Sequence, residues 1–316
     1  MFLRGLIAIL FVAFATFSIQ HLQNDSDKVN PLRHSTAGLA LAKKSDRTTN
    51  YLPLRAAQDD ALNVALRRVL EKNPKWKSMI RNRKLAVGLV DLRNERAPRY
   101  ASVNGQHMMY AASLPKIAVL LAAMDAIEQG ELRETRAVKD DMFLMINKSN
   151  NAATTRMIDR VGFNRIQRVL TSDQYRLYDR NQGGGLWVGK RYAAGGQRMP
   201  DPMKGLSHAA TAEQVCRFYY MLHNDALVSP ERSAQMKQIL TKPGLHHKFV
   251  NTLDRVAPRA DLFRKSGSWK TYHSDSVMVL GEDRKYILVG LADDPAGEQI
   301  MRELVLAAEQ AMREAV

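Results

Sequence analysis

A chain of 316 residues with 45% hydrophobic side chains can form one large core or two modest ones, which excludes a short peptide, a disulfide miniprotein and a disordered tail. Its single cysteine, Cys216, allows neither an internal disulfide nor a cysteine-built zinc site. Lys and Arg number 47 against 32 Asp and Glu, and the resulting +15 favours an acidic partner: nucleic acid, an anionic membrane surface or an acidic polymer.

Arg4 precedes an uncharged apolar run from Gly5 to Ile19 that includes Leu6, Ile7, Leu10, Phe11, Phe14 and Phe17, and polarity returns at Gln20 and His21. Residues 1–22 are therefore expected to be a signal peptide or a short membrane anchor, since a full span needs about 20 apolar residues. Ala13 and Ala15 form a small-x-small cleavage pattern, but inside the apolar run. An exported chain belongs in the periplasm or cell envelope, so no nucleic-acid partner is expected and the basic surplus is matched to an anionic envelope. Residues 23–55 are polar, contain Pro31 and lack an apolar period, which predicts a linker.

A helix is predicted from Ala56 to Lys72, with Leu62, Leu66, Val69 and Leu70 on one face, Asp59 and Asp60 in its first turn, and Asn73 and Pro74 ending it. Leu85 to Val90 reads as a buried strand and Arg99 to Val103 as its neighbour across a charged turn. Ser113, Leu114, Pro115 and Lys116 then open an almost wholly apolar segment running to Met124, a buried helix. Residues three apart share a helix face, so Lys116 brings its amine beside the Ser113 hydroxyl. A serine hydroxyl becomes a nucleophile when a base takes its proton, and a desolvated lysine serves as that base. The same four residues are also compatible with an ordinary helix start capped by Ser113.

Farther along, Met142 to Ile146 and Ala152 to Val161 read as two helices around the polar corner Asn147 to Asn151, closed by Gly162. The stretch Asp179 to Asp201 is rich in glycine without phosphate-loop spacing, and a helix follows from Thr211. Lys265, Ser266 and Gly267 open a segment running through Ser276 to Leu280. Tyr286 to Leu291 pairs with it, and Gly297 to Glu314 forms the last helix.

Ser113 to Lys116, Ser149 to Asn151 and Lys265 to Gly267 match, in order and setting, the Ser-x-x-Lys, Ser-Asp-Asn and Lys-Thr-Gly elements of the penicillin-recognising serine enzymes. The chain resembles most closely the class A β-lactamases, from about Ala56 to the C-terminus. The resemblance implies a mixed α/β and all-α, two-lobed fold of the β-lactamase and D,D-peptidase type: an antiparallel sheet flanked by helices (residues 56–112 and 206–316) with an inserted helical lobe (113–205). The site would lie in the cleft between them.

Carried over, Ser113 would be acylated, Lys116 would accept its proton, and Ser149 would pass a proton to the departing nitrogen. Asn151 would contact the substrate amide, and Lys265 its carboxylate. Ser266 stands in place of the family's threonine, and the N–H groups of Ser113 and Ser268, beside Gly267, would form the oxyanion hole. The substrate implied is a β-lactam or a D-alanyl peptide amide of peptidoglycan, with no cofactor and no metal.

Two departures bear on turnover. The interval from Ser113 to Ser149 is shorter than in the family, which predicts a more open cleft near Glu131 to Arg136. The family also carries a glutamate after the second motif that activates the deacylating water, whereas no glutamate lies between Ser149 and Glu213; Asp179 and Asp201 are the candidates to replace it. Deacylation is therefore expected to be slow. A peptidoglycan D,D-peptidase and a non-catalytic envelope-binding protein are the competing readings. Cys216 is expected in the core, Trp269 against a cleft wall, His208 and His273 at the surface, and His246 and His247 free of metal.

Overall fold

The computed structural model describes residues 51–315, so the expected signal or anchor, and the linker up to residue 50, lie outside the described residues. The chain runs through α1 (Asp60–Glu71), α2 (Pro74–Arg81), β1 (Leu85–Asp91), β2 (Arg99–Val103) and β3 (Met109–Tyr110). Four helices follow, α3 (Lys116–Glu128), α4 (Arg136–Asn147), α5 (Asn151–Val161) and α6 (Phe163–Thr171), then short strands β4 (Tyr178–Asp179), β5 (Gly184–Gly185), β6 (Trp187–Val188) and β7 (His208–Ala210). The last part comprises α7 (Ala212–His223), α8 (Pro230–Leu240), α9 (Phe249–Val256), β8 (Asp261–Trp269), β9 (Tyr272–Leu280), β10 (Lys285–Asp293) and α10 (Gly297–Glu314).

β1, β2, β8, β9 and β10 form an antiparallel sheet in the order β2-β1-β10-β9-β8, so both chain ends contribute and β8 is an edge. Side chains alternate across a strand, and here both faces are covered. Leu85, Val87 and Leu89 of β1 pack with Leu62, Leu66 and Leu70 of α1 and with Leu304 of α10. Ala86 and Val90 join the other core, shared with α3 and α7. Each fully buried leucine contributes roughly 1.5–3 kcal/mol relative to exposure. Gly88 permits α7 to sit close, because a Cβ there would lie 2.6 Å from Cys216 Sγ. Cys216 is a buried core thiol, as expected.

Three local expectations are corrected. Leu54–Ala57 is a separate 3-10 turn, and α1 begins later because Asp59 acts as its N-cap, accepting from Leu62 N at 2.7 Å. Pro74 begins α2 instead of only ending α1: Asn73 caps that helix through the Lys75 and Trp76 amides, and a proline costs nothing in a first turn. The segment from Lys265 to Leu280 is a tight hairpin of two strands, with Trp269 paired to Tyr272. Gly162, at φ 79°, ends α5 as expected and leads directly into the unpredicted α6.

Candidate active site

Ser113 lies between β3 and α3. The β3 end is tied to β7 by Ala111 N donating to His208 O at 2.9 Å. Ala112 then takes φ 50°, a left-handed conformation uncommon for a residue with a Cβ. Leu114 N donates to Ala111 O, and Lys116 N to Ser113 O, so a tight turn presents Ser113 just ahead of the helix. The helix begins at Lys116, which places Pro115 and Ser113 before its first turn instead of within it.

Lys116 is fully buried on a helix that is buried on nearly every face. Its Nζ donates to Ser149 O at 2.7 Å and Asn151 Oδ1 at 2.8 Å, with Ser149 Oγ at 3.4 Å. It also lies 4.5 Å from the centre of the Tyr192 ring. These partners are neutral, and burial lowers the amine pKa to about 7. A lysine so placed is available as a base near neutral pH.

Ser149 sits at the corner between α4 and α5 with φ 52°, which turns the chain so that its carbonyl and its hydroxyl both face the lysines. Lys265 Nζ donates to Ser149 Oγ at 2.9 Å and to Ser266 O at 2.7 Å. Burial first, and then the charge of Lys116, hold the Lys265 amine well below its ordinary range. The Ser149 hydroxyl thus bridges the two lysines. Asn150 occupies the position of the family's aspartate and caps α5, its Oδ1 accepting from Ala153 N at 2.8 Å.

Gly267 lies on the edge strand with a Cβ position 2.5 Å from Ser113 N and 2.8 Å from Leu114 N, so only glycine allows this approach. The exposed Ser268 follows it. Ser266 is 3% exposed and lines a small cavity with Asn147, Pro243 and Leu245. Hydrogen bonds thus join Lys116, Ser149, Asn151 and Lys265, the close approach of Gly267 brings Ser113 N to the same edge strand, and Ser268 follows on that strand.

The glycine-rich stretch contributes Tyr192, which composition and spacing did not reveal. Its hydroxyl donates to Ala112 O at 3.1 Å while its ring covers Lys116. It belongs to a row of rings: Tyr192 and His208 centroids are 4.2 Å apart, His208 and Tyr110 6.0 Å, and Tyr110 and Tyr272 5.4 Å. His208 is buried instead of at the surface, with Nε2 3.0 Å from Lys190 O, and burial lowers its pKa to about 4. Trp269 is 58% exposed, so it does not pack a cleft wall as expected.

Neither aspartate is disposed as a base. Asp201 is buried and accepts from Tyr178 Oη and from the amides of Met203, Lys204 and Leu206. Asp179 accepts from Asn181 N and caps a 3-10 turn. His246 pairs with Asp254 at 2.7 Å, and among the described residues no group of three or more His, Cys, Asp or Glu is placed to hold a metal.

A family model described as the beta-lactamase enzyme family matches residues 62–142 and 135–312, and the chain belongs to that family. The fold is shared with a β-lactamase from Sphaerobacter thermophilus, at 18% identity and TM-score 0.58 over 81% of this chain and 95% of that one. PBP-A is similar at 17% identity and TM-score 0.58, over 81% and 97%. A class A β-lactamase variant of the last common ancestor of Gram-negative bacteria is similar at 14% identity and TM-score 0.62, over 81% and 100%. No curated protein matches the sequence.

Proposed function

We propose that this protein is a serine hydrolase of the cell envelope that forms an acyl-enzyme at Ser113 with a β-lactam or a D-alanyl amide and releases it slowly. The observation that carries this reading is the convergence of Lys116 and Lys265 on the Ser149 hydroxyl, with Lys116 buried among neutral partners three residues after Ser113. Neutral Lys116 takes the Ser113 proton as Oγ bonds to the acyl carbon. The C–N bond breaks, and the proton reaches the departing nitrogen through Ser149. The N–H groups of Ser113 and Ser268 receive the developing oxyanion, and Lys265 attracts the substrate carboxylate. The peptidoglycan D,D-peptidase reading is favoured by one feature: the absence of a loop glutamate, with Asp201 already committed to backbone amides.

A mutant of the fold neighbour PBP-A forms an acyl-enzyme complex with penicillin G. The same chemistry is tested here by intact mass over time after mixing with benzylpenicillin and, separately, with a D-alanyl-D-alanine peptide. One persistent penicillin adduct per chain, on the peptide holding Ser113 and absent from Ser113→Ala, is expected. Fast release of D-alanine alongside it assigns the peptidase. If neither donor is consumed and no adduct forms, the cleft is a binding site without turnover.

A further inference from the structure

We infer that Lys248 is a positioning residue for the oxyanion hole, holding from behind the peptide group whose N–H, on Ser268, receives the acyl oxygen. The inference rests on the acyl-transfer reading above. Lys248 is fully buried, and its Nζ donates to Gly267 O at 2.5 Å and Ser274 O at 3.0 Å, the carbonyls of two residues paired across β8 and β9. The Gly267 carbonyl and the Ser268 N–H belong to one planar trans peptide and point in opposite directions. An ammonium on the carbonyl therefore fixes the direction of the N–H, and by drawing electron density toward the oxygen makes that N–H a stronger donor.

Two further observations separate this from ordinary core filling. Lys248 has φ 57° and ψ −126°, a conformation suited to glycine, yet the position carries a long charged side chain. The ammonium also has no ion-pair partner among the described residues. The nearby Asp275 carboxylate is taken by Arg264, at 2.7 and 2.8 Å, and by the amides of Phe249 and Ser276. Arg264 in turn donates to Leu245 O and His247 O, which fixes the loop that delivers Lys248. Burial brings the Lys248 pKa down only to about 8, so its charge is largely retained at neutral pH.

The test uses the full chain, as wild type, Lys248→Met and Lys248→Gly; the glycine variant suits the backbone conformation and keeps the experiment open if the methionine variant is unstable. The probe is benzylpenicillin labelled with ¹³C at the lactam carbonyl. Acylation is followed by rapid-quench mass measurement, and the ester carbonyl stretch by infrared difference spectroscopy. Both variants should still be labelled at Ser113, with an acylation rate lower by about 10-fold, part of what removing a whole oxyanion donor costs. The stretch should move to higher wavenumber because the carbonyl oxygen accepts a weaker hydrogen bond. Added butylammonium should recover part of the rate in Lys248→Gly. A folded variant with wild-type rate and stretch overturns the inference. So does failure of both variants to fold, which makes Lys248 a structural residue. Absence of any adduct on the wild type instead removes the acyl-transfer reading, so the two failures are distinct.

Discussion

Among the individual residues, Lys116 has the sharpest experimental signature. A base must be neutral, and burial places its proton loss at about pH 7 instead of near 10.5. Acylation by penicillin should therefore rise with pH up to about 7 and level off above it, falling about tenfold per pH unit on the acid side. A rate that is flat from pH 5 to 7 would show that another group accepts the proton. Lys116→Ala should remove this limb together with nearly all acylation. Asp201 makes the opposite prediction. With its carboxylate occupied by Tyr178 and three amides, Asp201→Ala should destabilise the fold by about 1–3 kcal/mol while leaving the deacylation rate constant of the folded protein unchanged. Thermal unfolding and single-turnover mass measurements read the two effects separately.

At the scale of elements, the site depends on how closely β8 approaches the turn before α3. Gly267→Ala would drive a methyl into the Ser113 and Leu114 amides, which are backbone and cannot rotate away. The edge strand would have to move. Acylation should drop by at least 10²-fold with the sheet still formed, and wild-type labelling kinetics would refute this geometry. Asn150 offers a milder test. Asn150→Ala removes the α5 cap and should cost about 1 kcal/mol, whereas Asn150→Asp keeps the acceptor and should be neutral. The residues legible in the sequence were those whose spacing is local: Ser113 with Lys116, the corner Ser149 to Asn151, the strand Lys265 to Gly267. Strand β2 and helix α10 were legible to the residue, β2 as a short run with Tyr100 and Val103 after a charged turn and α10 from its apolar stripe. Tyr192 and Lys248 were not. They reach the site through contacts with Ala112 and Gly267, and neither position belongs to a period that could announce it. Pro74 misled because one residue both stops a helix and starts the next.

For the whole molecule, the described chain holds together without covalent cross-links, its one thiol being buried under β1. Reducing agents should leave its melting temperature unchanged. The sequence confines the apolar run to Gly5 to Ile19, and no described helix is long and apolar enough to cross a membrane. Deleting residues 1–22 should give protein that remains in the supernatant after salt washing and centrifugation. Sedimentation of the truncated form with membranes would point to a second attachment surface on the basic domain.

The exposed ring on the β8–β9 hairpin gives the molecule a built-in optical reporter. Of its three tryptophans, Trp76 and Trp187 are buried at 5% and 6% exposure, and Trp269, next to Ser268, is 58% exposed. Acrylamide should quench chiefly this one indole. A substrate lying along the strand edge would cover it, so emission should shift to the blue and resist quenching as the acyl-enzyme forms, and return as the ester hydrolyses. Stopped-flow fluorescence of the unmodified protein would then time both half-reactions in a single trace, and Trp269→Phe should silence the signal without altering the mass-measured rates.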